Sequence, residues 1–179
     1  MIKILIGLFI LFASVEAACS GEKKIKKEDL VGVWSYVETY LRFPDGRRFD
    51  QFTENPVGIF ILNADGFYAH ILLRPDLPKI RSGIMMRATP EEARLIAVGS
   101  LSHYGTYKVD EEKGTFTVTI DHSDFPNFDG IQQTRTISRL DDELHYINDV
   151  TNAGPGAVVH AKLRRLSNAG QQTKIQAGP

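Results

Sequence analysis

The chain has 179 residues, room for one domain with a full core and little beyond it. Its 21 basic and 22 acidic residues leave a formal charge of −1, which argues against a nucleic-acid surface. A lone cysteine, Cys19, excludes an internal disulfide.

The N-terminus reads as a targeting segment. Lys3 supplies a positive charge ahead of the apolar run Ile4–Val15, and Val15-Glu16-Ala17 is a small-residue cleavage site before Ala18. The run is too short for a permanent membrane helix of about 20 residues. Residues 1–17 are therefore expected to be removed and the protein exported, to a periplasm or beyond. Cys19, followed by Ser20-Gly21, is similar to the start of a bacterial lipoprotein, but Glu16 stands where that pattern has an apolar residue. A lipid tether at Cys19 and free secretion both stay open, and a tether would anchor the domain without spanning the bilayer. Residues 18–29, containing Lys23–Lys27, form the expected linker, flexible over Ser20–Glu28.

Leu30–Phe43 alternates as a first strand, with Trp34, Tyr36, Glu38 and Tyr40 on one face and Val33, Val37 and Leu41 on the other. Pro44-Asp45-Gly46 is turn chemistry. Val57–Leu62 and Phe67–Leu73 are the second and third strands, joined by the tight turn Asn63–Gly66. Both are apolar on two faces, so a cover is expected, and Leu77–Gly99 is the candidate. Within it Thr89 is an N-cap, Pro90 takes the first helical position and Glu92 closes a capping box, starting a short helix that ends near Gly99.

Ser102–Asp110 and Thr115–Ser123 follow as a hairpin around Glu111–Gly114. Pairing Asp110 with Thr115 sets Val109 beside Phe116, Tyr107 beside Val118, and His103 beside His122, with both histidines on the apolar face. Ile131–Leu140, Glu143–Asn148 and Ala157–Leu166 complete the strands, with Thr151–Gly156 a loop and Ser167–Pro179 a disordered tail. Eight strands on short turns predict an all-β, eight-stranded antiparallel up-and-down barrel over residues 30–166, with one short helix between strands 3 and 4. A barrel of that size encloses side chains or one small ligand.

The segments Leu30–Trp34, Asn63–Gly66, Arg74-Pro75-Asp76, Thr89–Glu92, Tyr104–Tyr107, Val109–Gly114, Phe125-Pro126-Asn127 with Gly130, and Arg135 together resemble the lipocalin-like domain family of bacterial and fungal proteins. Gly32-Val33-Trp34 looks like the Gly-x-Trp start of lipocalins. The resemblance implies that Trp34 closes the barrel floor against a late arginine, Arg164 or Arg165.

Polar residues in phase with the apolar face are the candidates for the interior: Tyr36, Glu38, His70, Arg74, His103, Tyr107, His122 and Arg135. Asn127 joins them within Phe125–Phe128, an aromatic cap for the mouth or a plain turn. A buried Arg135 requires a carboxylate or a ligand anion, and Glu38 is the candidate partner. Facing His103 and His122 would suit a hydrogen bond, a proton-transfer pair or, with His70 as a third ligand, zinc. His145 and His160 are expected on the outside. Metal, phosphate-loop and nucleophile-elbow motifs are absent from the sequence, so neither a cofactor nor a metal is expected. The reading is an exported cup for a small, largely apolar molecule. The alternatives are a barrel enzyme using the histidine pair for acid–base chemistry, and a lipid-anchored scaffold with a filled interior.

Overall fold

A computed structural model describes residues 25–166; the targeting segment, Cys19 and the segment from Ser167 lie outside the described residues. The strands are β1 (Gly32–Arg42), β2 (Arg48–Phe49), β3 (Val57–Leu62), β4 (Phe67–Leu73), β5 (Ser100–Asp110), β6 (Thr115–Ser123), β7 (Gln132–Leu140), β8 (Glu143–Asn148) and β9 (Val158–Arg165). Each of β3 to β9 pairs antiparallel with its neighbour in sequence, and β1 pairs with both β3 and β9, closing the barrel. Eight strands therefore make the wall, as expected. The two-residue β2 is an addition that pairs only with the far end of β1.

The helix is where its capping chemistry put it. In α2 (Pro90–Val98), between β4 and β5, the Thr89 hydroxyl accepts from Glu92 N at 3.2 Å and the Glu92 carboxylate accepts from Thr89 N at 2.8 Å. The expected flexible linker is corrected at its end. Residues Lys27–Leu30 form a one-turn helix, α1, whose Leu30 is wholly buried. Lys27 ties it down through its ammonium to Ala64 O at 2.8 Å and its backbone N–H to Glu111 at 3.1 Å.

That turn plugs one end of the barrel. Trp34 Nε1 donates to Leu30 O at 2.9 Å, and the Arg165 guanidinium lies 4.1 Å above the Trp34 ring. Arg165 also donates to Val31 O at 2.7 Å and to Asp29 O. Gly32 makes the approach possible: its φ is +145°, and a Cβ there would stand 2.6 Å from Arg165 Nη1. Of the two candidate arginines Arg165 is the floor residue, whereas Arg164 is on the outside with Glu143 at 3.2 Å.

Two bulges set what faces inward. In β1 the pairing with β9 slips between Tyr36 and Glu38, so the inward set changes from Trp34 and Tyr36 to Thr39 and Leu41. In β6 the pairing passes from Ile120 opposite Gly105 to His122 opposite Tyr104, leaving Asp121 unopposed. Gly105 permits this crowding, since a Cβ there would lie 2.1 Å from Thr119 O. The inward residues Phe60, Phe116, Val118, Ile120, Leu144 and Leu163 fill the half of the barrel above the floor.

Candidate functional site

The other half of the barrel stays partly open. Its lumen is about 50 Å³ for water-sized guests, and about 550 Å³ when every gap out to the open mouth is counted. Leu72, Leu101, Phe52, Phe128 and Val150 line it with carbon, and Tyr36, His70, His103, Gln133, Arg135, Tyr146 and Asn148 line it with polar groups. Among the described residues no aspartate or glutamate does.

Arg135 dominates the electrostatics. Strict alternation along β7 turns Gln133, Arg135 and Ile137 inward, and Arg135 is 3 % exposed. Its guanidinium carbon is 5.4 Å from the Phe60 ring, 5.6 Å from Phe116 and 5.5 Å from Tyr146. A guanidinium has five N–H bonds. Gln133 takes two, at 2.9 Å through its side-chain oxygen and 3.4 Å through its backbone oxygen, and Nε is buried without a partner. No carboxylate pairs with it among the described residues. Asn148 Nδ2 donates to the same Gln133 side-chain oxygen at 3.3 Å, which fixes the amide for Arg135.

Beside Arg135 lie two histidines, stacked with centroids 4.3 Å apart and planes 28° apart. They are His70 and His103, directly paired across β4 and β5. Tyr68 Oη is 2.9 Å from His103 Nδ1. Tyr36 Oη is 2.7 Å from His70 Nε2 and 2.9 Å from Tyr146 Oη, a chain of three polar groups that leaves His70 Nδ1 buried and unpartnered. Desolvation first, and then the Arg135 charge, holds the His103 pKa down to about 3. His70 is pushed well down by desolvation, by His103 and by Arg135. Both rings are therefore neutral at pH 7. Burial raises the phenol pKa of Tyr36 and of Tyr68, so both keep their protons.

Four of the nine candidates, Tyr36, His70, His103 and Arg135, thus share one lumen. The others do not. Tyr107 is buried but lies away from that lumen, its hydroxyl donating to Asn63 O at 2.7 Å. Glu38 is turned out by the β1 bulge and pairs with Arg48 at 2.9 Å, so it is not the partner of Arg135. Arg74 lies beyond the end of β4 and pairs with Asp76 at 2.7 Å. Asn127 is exposed in the 3₁₀ turn Pro126–Phe128, whose Phe128 is the residue that reaches the lumen. His122 is turned out by the Asp121 bulge and sits 3.1 Å from Asp129, its side chain 71 % exposed. The facing pair His103–His122 is replaced by His103–His70. No third metal-ligating side chain joins the pair among the described residues.

Gln133, Tyr146, Asn148 and Tyr68 were missing from the candidates. Alternation put Gln133 in phase with Arg135, so that residue was legible. Tyr146 and Asn148 share the inward face of β8 with the apolar Leu144, a signal too short to read in a six-residue strand. His145 is outward as expected, bonded to Glu143 at 3.0 Å, and His160 stacks on Tyr40 outside the lumen at 4.9 Å.

No curated protein matches the chain. Residues 31–157 match the family described as the lipocalin-like domain, a stretch that begins at the floor turn and includes every lumen residue named above. The chain belongs to the lipocalin-like domain family.

Proposed function

We propose that the protein is an exported binding cup for a small molecule with a slender apolar body and an anionic head, held by Arg135. The observation that carries this is an arginine buried in carbon rings that, among the described residues, has no carboxylate beside it and an unpartnered Nε. Taking such a charge out of water costs several kcal/mol unless it is compensated, and a bound anion would compensate it. A carboxylate on Arg135 would also order the polar chain. Tyr146 would donate to the anion, Tyr36 to Tyr146, and His70 Nε2–H to Tyr36. His70 Nδ1 is then a bare acceptor, a milder orphan than a buried N–H. The narrow lumen and its apolar mouth suit a slender chain or a flat ring behind that head. Lys3 and the Ile4–Val15 run support export, and Cys19 supports a tether.

The same geometry weighs against acid–base catalysis by the histidine pair. A general base works best with a pKa near the operating pH, whereas His103 sits near 3 and His70 well below its ordinary value. The test is thermal stabilisation by matched pairs of ligands, each an acid with its methyl ester or amide. Stabilisation by the acids and not by the esters is expected. Equal stabilisation by both members of every pair would remove Arg135 as the recognition group.

A further inference from the structure

Between β4 and β5 the chain leaves the barrel beside its mouth, where Leu72 and Leu101 are paired and both line the lumen. From Leu73 to Val98 not one residue is buried, although the stretch includes Leu77, Ile80, Ile84, Met85, Met86, Leu95 and Ile96. At its tip the 3₁₀ turn Met85–Arg87 presents Met85 at 81 % exposure and Met86 at 91 %, with Ile84 also exposed. Isolated exposed apolar residues are ordinary, but three consecutive ones on an ordered turn are a patch that calls for a partner.

The charges around the tip say which partner. No acidic residue lies between Asp76 and Glu91, whereas Lys79, Arg81 and Arg87 do, and none of these three forms a side-chain salt bridge among the described residues. The neighbouring acids are already committed. Asp76 is paired with Arg74 at 2.7 Å and Glu91 with Arg94 at 2.8 Å, while Glu92 accepts the backbone N–H groups of Thr89 and Arg81. Large flexible apolar side chains inside a collar of unpaired cations match an anionic lipid surface, where phosphates meet the cations and the acyl boundary takes the apolar groups.

We infer that the Ile84–Arg87 tip docks on anionic phospholipid bilayers, with Met85 and Met86 entering the headgroup–acyl boundary and Lys79, Arg81 and Arg87 on the phosphates. The barrel mouth is thereby held against the membrane. This rests on the excursion alone and is independent of what the lumen binds.

The test uses the full chain carrying Cys19→Ser, which removes the site of any lipid attachment and the sole native thiol. Met85→Cys in that background carries an environment-sensitive nitrobenzoxadiazole label, and Asp65→Cys in the β3–β4 turn carries the same label as a control. Vesicles of phosphatidylcholine alone are compared with vesicles containing 30 mol % phosphatidylglycerol as ~30 % anionic lipid. The expected result is a blue shift and brightening at position 85 with the anionic vesicles only, none at position 65, and weakening in high salt. Triple replacement Lys79→Glu/Arg81→Glu/Arg87→Glu is expected to lower vesicle partitioning about tenfold or more, since each basic residue contributes to surface attraction. A label at position 85 that stays water-like while the protein sediments with vesicles would assign binding to the N-terminal segment and overturn the inference. So would a blue shift without vesicles, whether it grows with protein concentration (a second copy on the tip) or does not (the tip folded over the mouth).

Discussion

Replacing Arg135 by methionine removes a buried charge and leaves a side chain of similar volume among Phe60, Phe116 and Tyr146. The native guanidinium has lost its hydration and, among the described residues, recovers only two hydrogen bonds, both to Gln133, and three ring contacts at 5.4–5.6 Å. Ring contacts of this kind return about 0.5–2 kcal/mol each, against an effective burial penalty of several kcal/mol. Gln133 keeps Asn148 as a partner for its side-chain oxygen, so the substitution orphans little. Exchange of buried charges for apolar groups of similar volume is neutral or stabilising by about 1–4 kcal/mol, and the ring contacts lower that expectation to about 1–3 kcal/mol here. In a domain of this size that is a rise in Tm of about 3–10 °C. Differential scanning calorimetry on the ligand-free protein reads it, and NMR titration of the imidazoles supplies the second readout. With the Arg135 charge gone, the His70 and His103 pKa values rise, because that charge is one of the forces holding both down. The stabilisation given by an acid ligand, about 2.7 kcal/mol at a hundred times its Kd, is expected to vanish. A ligand-free variant less stable than the parent by more than about 1 kcal/mol, with unchanged histidine titrations, would show that the barrel needs the charge for its own packing.

Acid destabilises the fold through the histidine pair. Both folded pKa values lie below the unfolded value of 6.5, so between about pH 6.5 and 3 the unfolded chain binds more protons and stability falls as pH falls. At pH 4.5 His103 alone accounts for about 3 kcal/mol; urea unfolding at pH 7 and 4.5 measures it, and a His70→Phe/His103→Phe variant with an undiminished loss would exclude the pair as its source. Gly105→Ala forces a Cβ to within 2.1 Å of Thr119 O and is expected to cost about 2–3 kcal/mol in urea unfolding. A cost under about 0.5 kcal/mol would contradict the close approach at the β6 bulge. Arg165→Met removes two charged hydrogen bonds to the floor carbonyls, for a loss of about 2–4 kcal/mol and a red shift of the fluorescence of Trp34, the sole tryptophan. Unchanged emission would mean that Arg165 does not seal the floor.

The strand set and the capped helix were legible because each has a local signal, alternation with turn residues between runs and a Thr-Pro-x-Glu start, whereas the floor tryptophan was legible only through the family resemblance. The site was half legible, and its errors share one cause. Alternation transmits facing correctly only while register is kept, and each bulge adds a residue and reverses the phase beyond it. Val37 in β1 cost Glu38 its interior place, and Asp121 in β6 did the same to His122. Gly105, an isolated glycine inside a strand pattern, was the available clue to the second bulge. For the first there was none, since the Tyr36–Tyr40 stretch reads as unbroken alternation. His70 faces His103 because β4 and β5 pair without a slip across the whole helical excursion, a long-range match that turn chemistry cannot announce.

The closure of the wall has a temporal side. Trp34 meets Arg165 and Arg42 meets Val158, so the seam joins the first strand of the domain to the last. Contacts of such separation are the slow ones, since the chain must surrender the entropy of a loop almost as long as itself before they form. A chain emerging N-terminus first, from a ribosome or through a narrow channel, therefore carries β1 with one of its edges open until β9 arrives. The barrel and its lumen are the last things to exist, and a chain truncated anywhere before β9 has neither.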